Sequence, residues 1–145
     1  MKAKDLMIGD WIHNNFTNDD FQVWPSFLAQ ATNYGRDLDR TLEDIGCEPI
    51  PITAEILKEN GFMPDDLCDY AEKYVCPVEI KKIPQTILGF TFYEGISADT
   101  LFKCWTKPES CDGENSVHIC DLKYVHQLQH ALRLCGVEKE IELKQ

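Results

Sequence analysis

The sequence predicts an α+β protein: a small N-terminal SH3-like β-lobe, short helices, then an antiparallel β-meander packed by a C-terminal amphipathic helix. Three observations predict it. Side chains alternate with a period of two through Val78/Ile80, Leu88/Phe90/Phe92, Leu101/Lys103/Trp105 opposite Phe102/Cys104, and Val117/Ile119, the spacing that fills one face of a strand. Tyr124, Val125, Leu128, Ala131, Leu132 and Cys135 instead recur at helical spacing, the apolar stripe that a helix buries against a neighbour. The opening Leu6-Met7-Ile8-Gly9-Asp10-Trp11-Ile12 sets a Gly-Asp turn before a β-prone run, as small SH3-like barrels often do.

In chain order, Gly9-Asp10 forms the turn, and Trp11 and Ile12 enter the sheet. After the polar turn from Asn14 to Asp20, Phe21 to Trp24 and Phe27 to Ala31 predict two more strands. Pro25 between them belongs at an edge or bulge, because it has no N–H to give a ladder. Leu38, Leu42 and Ile45 have helical spacing but are crowded by Asp37, Asp39, Glu43 and Asp44 and stopped by Gly46 and Pro49, which leaves that segment ambiguous. Glu48 to Ile52 must be extended, since Pro49 and Pro51 push their predecessors out of the α region. Thr53 caps a helix over 53–60, ended by Asn60-Gly61-Phe62 with Gly61 left-handed and Phe62 packing back on Ile56 or Leu57. A second helix over 65–73 follows Pro64 and gathers Leu67, Tyr70, Ala71 and Tyr74 on one face.

The predicted antiparallel sheet covers 78–120, turning near Pro84, Gly95 and Asp112-Gly113. Asp121 then caps a helix over 122–135 that Gly136 closes, with His126, Gln129, His130 and Arg133 on the side away from its apolar stripe. Glu138 to Leu143 either adds an edge strand or trails as a charged tail. The chain thus divides into an acidic β-rich lobe, 1–52, and an α+β lobe, 53–145, and its length equally suits one continuous domain.

The 145 residues are 43% apolar and 27% charged, the composition of an ordinary globular protein. The first ten residues reach an acid and a glycine before any apolar run suited to export. No stretch approaches the roughly 20 apolar residues of a membrane span. The expected location is therefore cytoplasmic, with no membrane partner. Seven cysteines are an odd number, which in that compartment predicts free thiols rather than a disulfide framework. The net charge is −11, and it sits in the front half: residues 1–72 hold 5 basic and 15 acidic side chains, a balance of −10. A field of that sign repels phosphate backbones. Nucleic acid is not an expected partner.

Candidate chemistry is thin. His126-Gln127-Leu128-Gln129-His130 spaces two histidines one turn apart, as in zinc-protease helices, but Gln127 stands where the glutamate base belongs and an amide cannot take a proton. Two surface histidines on a polar helix face is the simpler expectation. Cys104, Cys111, His118 and Cys120 could converge on a metal, yet no Cys-x2–4-Cys pair exists, and buried thiols are the simpler expectation. No catalytic residue, cofactor or metal is expected. The paired acids Asp19-Asp20, Asp37/Asp39, Glu43-Asp44 and Asp65-Asp66 suit solvated faces and caps. Aromatics concentrate in the acidic half, at Trp11, Phe16, Phe21, Trp24 and Phe27. Any of them left exposed would form a protein-binding site, with Trp11, Phe16, Phe21 and Trp24 as its candidate residues.

Three stretches together resemble an uncharacterised small protein family common in gut Bacteroidetes and their phages and mobile elements. They are Leu6 to Ile12, the run Glu48-Pro49-Ile50-Pro51-Ile52-Thr53-Ala54-Glu55-Ile56-Leu57-Lys58-Glu59-Asn60-Gly61-Phe62, and Tyr124 to Gly136. The resemblance implies an N-terminal β-lobe, the short helix ending in Asn-Gly-Phe, a variable sheet and a closing helix. It carries no assigned activity, so no residue role transfers. The resulting expectation is a non-catalytic accessory or adaptor protein of a phage or mobile element, binding another protein through an acidic, aromatic-containing surface. The alternatives are a metal- or thiol-dependent enzyme using His126, His130 or the Cys104 to Cys120 region, and an acidic DNA-mimic inhibitor. Nothing in the sequence sets the oligomeric state.

Overall fold

The computed structural model describes residues 1–34, 41–65, 72–75, 86–92, 102–108 and 117–144. They form helices and antiparallel strands, so the class is α+β. The chain divides into two compact units, one of Met1–Pro51 with Tyr124–His126 and Leu143–Gln145, the other of Ile52–Lys123 with Gln127–Glu142. No helix among the described residues is long and apolar enough to cross a membrane.

The first unit is built on a small antiparallel sheet in which β1 (Trp11–Asn14) lies between β2 (Asp19–Gln22) and β3 (Cys47–Pro49). The turn before β1 forms as the sequence predicts. Gly9 takes φ +90°, and the buried Asp10 accepts the Met7 N–H at 2.7 Å while donating its own N–H to the Met7 carbonyl at 3.1 Å. Gly9 and Asp10 then exchange backbone bonds with Val23, both 2.8 Å, which fixes the base of the hairpin. Alternation puts Ile12 and Cys47 on one sheet face, in a core with Ala3, Leu6, Val23, Ala31 and Leu42. Trp11, His13, Asp20, Gln22 and Glu48 occupy the other face by the same register.

Phe27 to Ala31 is helix, not strand: α1 runs Pro25–Tyr34. Pro25 takes the first helical position, where its fixed φ is already helical and its missing N–H would have had no partner. Leu28 N–H closes the first turn on the Trp24 carbonyl at 3.0 Å. Burying Ala31, Phe27 and Leu28 against the core outweighs the modest β-preference of one aromatic. Leu42–Ile45 is a 3-10 turn ended by Gly46 at φ +76°; Leu38 lies outside the described residues. Beyond β3, Ile50 accepts the Val125 N–H at 2.8 Å and Pro51 bridges Tyr124, so the proline-rich segment is extended as expected.

In the second unit α2 (Ala54–Glu59) has both predicted caps. Thr53 Oγ1 accepts the Ile56 N–H at 3.2 Å. At the other end Gly61 turns left-handed, Phe62 N–H reaches the Leu57 carbonyl at 2.9 Å and Gly61 N–H the Lys58 carbonyl at 3.0 Å, the paired bonds of a Schellman closure. Five strands form one antiparallel sheet in sequence order: β4 (Met63–Asp65), β5 (Glu72–Val75), β6 (Thr86–Phe92), β7 (Phe102–Pro108) and β8 (Val117–Leu122). The predicted helix over 65–73 is overturned at both ends, because Asp65 ends β4 and Glu72 and Lys73 begin β5. Pro64 pairs with Tyr74 on an edge strand, a position that proline tolerates as well as a helix start. Val78/Ile80 and the turns near Pro84, Gly95 and Asp112-Gly113 lie outside the described residues.

Asp121 and Leu122 end β8 rather than opening a helix, and α3 runs Val125–Leu134. The entrance is held instead by Gln127, whose Oε1 reaches back past the first turn to accept the Lys123 N–H at 2.8 Å. Gly136 closes α3 as Gly61 closes α2: Val137 N–H bonds the Leu132 carbonyl at 2.8 Å and Gly136 N–H the Arg133 carbonyl at 3.0 Å. Residues 137–144 are neither an edge strand nor a trailing tail. Val137 and Ile141 are buried, and the Asn60 amide grips Glu142 on both sides, donating to its carbonyl at 2.9 Å and accepting its N–H at 2.8 Å.

Candidate functional site

The β1–β2 hairpin positions most of the exposed aromatic surface of the first unit. Asn14 Oδ1 accepts the Phe16 N–H at 2.9 Å, Asn18 turns left-handed at φ +58°, and Asn15 N–H bonds the Gly46 carbonyl at 2.8 Å. These bonds order a tip on which Phe16 is 79% exposed. Its ring lies against Gly46 so closely that a Cβ there would come within 2.5 Å of it. The ring is thus held in place without being buried.

At the other end of the hairpin, Phe21, Trp24 and Phe27 form a triangle with ring centroids 5.2 to 5.4 Å apart, within the range of favourable aromatic pairs. Phe21 and Phe27 lean on the core, whereas Trp24 is 48% exposed. The ladder from Asn14↔Asp19 to Trp11↔Gln22 separates Phe16 from this group, about 10 Å of strand. Of the four residues that the sequence nominates, Phe21 and Trp24 are brought together, Phe16 stands apart, and half-buried Trp11 lies on the outer sheet face.

Between the two ends runs a charged row that the sequence reading missed. His13 pairs with Asp20 on one side and Glu48 on the other, and its Nδ1 lies 2.7 Å from the Asp20 carboxylate. The signal was present in the spacing Trp11-x-His13, but naming its partners requires the strand register. Behind the tip, Glu43 accepts the N-terminal ammonium at 2.7 Å. Desolvation pushes the Glu43 carboxyl up, yet hydrogen bonds from that ammonium, its own backbone and Thr41, with the ammonium's charge, bring it below its usual value. Burial, then the nearby Glu43 charge, pushes the Cys47 thiol up.

The histidines of α3 are not a surface pair. His126 is 4% exposed and Gln129 3%, which corrects their placement on a solvated face; His130 is half-buried. A buried ring such as imidazole can be accommodated by stacking. His126 lies parallel to Tyr124, centroids 5.9 Å apart. Among the described residues no three His, Cys, Asp or Glu side chains gather as a metal site would require. In the sheet, Cys104 is the direct partner of Cys120 and Trp105 that of His118, with a register shift between the two rows; Cys111 lies outside the described residues. No protein-family model, curated protein or solved structure matches the chain.

Proposed function

We propose that the chain is a non-catalytic, cytoplasmic protein-binding module, an accessory or adaptor protein of a phage or mobile element. Its SH3-like N-terminal lobe meets a basic segment of another protein. The observation that carries this reading is Phe16, an aromatic 79% exposed on a hairpin tip that three local hydrogen-bonded contacts hold in one shape. Exposed aromatic area is recovered only when a partner covers it, and a tip ordered beforehand loses little entropy on binding. Acids crowd the same unit, Asp19 and Asp20 on β2, Glu43, Asp44 and Glu48 around the Gly46 turn. Their field favours a cationic partner and quickens its approach. The resemblance of its three stretches to a mobile-element family supplies the biological setting.

Parallel affinity capture tests it, with wild-type and F16A protein as baits in the same host lysate at low salt. The expected result is a protein retained by wild type and lost with F16A. Recovery of the same proteins in equal amounts by both baits would overturn the reading.

A further inference from the structure

Cys104 in β7 and Cys120 in β8 stand directly opposite one another, with Phe102↔Leu122 and Lys103↔Asp121 continuing the ladder on one side and Trp105↔His118 and Thr106↔Val117 on the other. Directly opposed residues of an antiparallel pair have Cα atoms about 4.5–5.5 Å apart. A disulfide spans Cα separations of about 4.4–6.8 Å. The backbone therefore already sets these two cysteines at bonding span, at the end of the regular run Phe102↔Leu122 to Cys104↔Cys120 and next to the register shift between Cys104 and Trp105. Of the chain's seven cysteines, Cys47 lies in β3 and Cys135 just past α3, and neither is in a disulfide.

We infer that Cys104 and Cys120 form a reversible dithiol–disulfide pair, a modification site for low-molecular-weight disulfides of the glutathione class. One cysteine thiolate attacks a sulfur of the oxidant, forming a mixed disulfide and releasing one thiolate. The second cysteine, deprotonated, attacks the protein sulfur of that mixed disulfide and expels the other thiolate. The two protein protons end on the two released thiols, and two electrons pass from the cysteines to the oxidant. The product staples β7 to β8. In a reducing compartment such a bond is transient, formed when the oxidant rises and reopened when it falls.

The experiment equilibrates the native full-length protein with graded ratios of reduced and oxidised glutathione, blocks remaining thiols, and maps the cysteines by mass spectrometry. Cleavage after glutamate, with fragmentation to tell Cys120 from Cys135 on their shared peptide, suits it: Glu109 and Glu114 separate Cys104, Cys111 and Cys120 into different peptides, whereas Lys107 is followed by Pro108 and blocks a tryptic cut. The expected result is a Cys104–Cys120 cross-linked peptide, lighter by two hydrogens, that forms at a lower oxidant ratio than any other pair. It disappears in C104S, persists in C47S, and loses its selectivity in denaturant. Cross-links that favour Cys111, or seven thiols that oxidise indiscriminately in the native protein, would overturn the assignment. The wild-type titration decides even if a variant fails to fold.

Discussion

Glu43 shows how one side chain ties distant parts of the first unit together, since it holds the N-terminal ammonium 42 residues away in sequence. Its carboxyl titrates lower in the folded protein than in the unfolded chain. The stabilisation is therefore complete above the ordinary value near 4.5 and is lost as pH falls through the lowered one. Because the pair is partly solvated, E43Q should cost only about 0.5 kcal/mol at neutral pH, less in high salt. Urea midpoints of wild type and E43Q compared from pH 7 to 3 should converge at the acid end. Cys47 makes a complementary prediction. A thiol that is buried and pushed above its usual pKa is scarcely ionised at neutral pH, so it should be alkylated by iodoacetamide well after half-buried Cys135. Equal labelling rates would show that Cys47 is open to solvent.

The legible elements are those whose ends are written in adjacent residues. Thr53 and Gly61 bracket α2, and Gly136 closes α3, because caps are local hydrogen bonds whose partners lie within one turn. Two of the misread elements share one cause: a proline that fits two structures. Pro25 suits a strand edge or a helix start, and Pro64 suits the same two, and each took the role the other was assigned. Gly61 and Gly136 take φ +81° and +72°, where a Cβ is strained, so G61A and G136A should each lose about 1 kcal/mol by chemical denaturation. N60A should cost more, roughly 2–3 kcal/mol, because it removes both side-chain bonds to the Glu142 backbone and the one to the Ile56 carbonyl. A loss below that of the glycine variants would mean that residues 137–144 are not anchored there.

For the whole molecule, the proposed binding draws on both the charge of −11 and the placement of aromatics. Association with a cationic partner should weaken between about 50 and 500 mM salt, mostly through a slower on-rate, because counter-ions screen the field at separations beyond about a Debye length. F16A should do the opposite, leaving the salt slope unchanged and raising the off-rate. It should also leave the melting temperature nearly unchanged, since the ring is exposed and supports no core residue. Binding kinetics across a salt series separate the two contributions. Off-rates equal for wild type and F16A would remove Phe16 from the interface.

Composition and nearest-neighbour chemistry determined the α+β class, the Gly9-Asp10 entry to β1 and both ends of α2. Each depends on residues within a turn or on a count over the chain. The tertiary structure alone decided that His126 and Gln129 are buried, that His13 sits between Asp20 and Glu48, that Asn60 holds Glu142, and that Cys104 faces Cys120. Those facts join segments up to 82 residues apart. Such partners are chosen by strand register and by which helix faces are covered, and neither is encoded in a local stretch of chain.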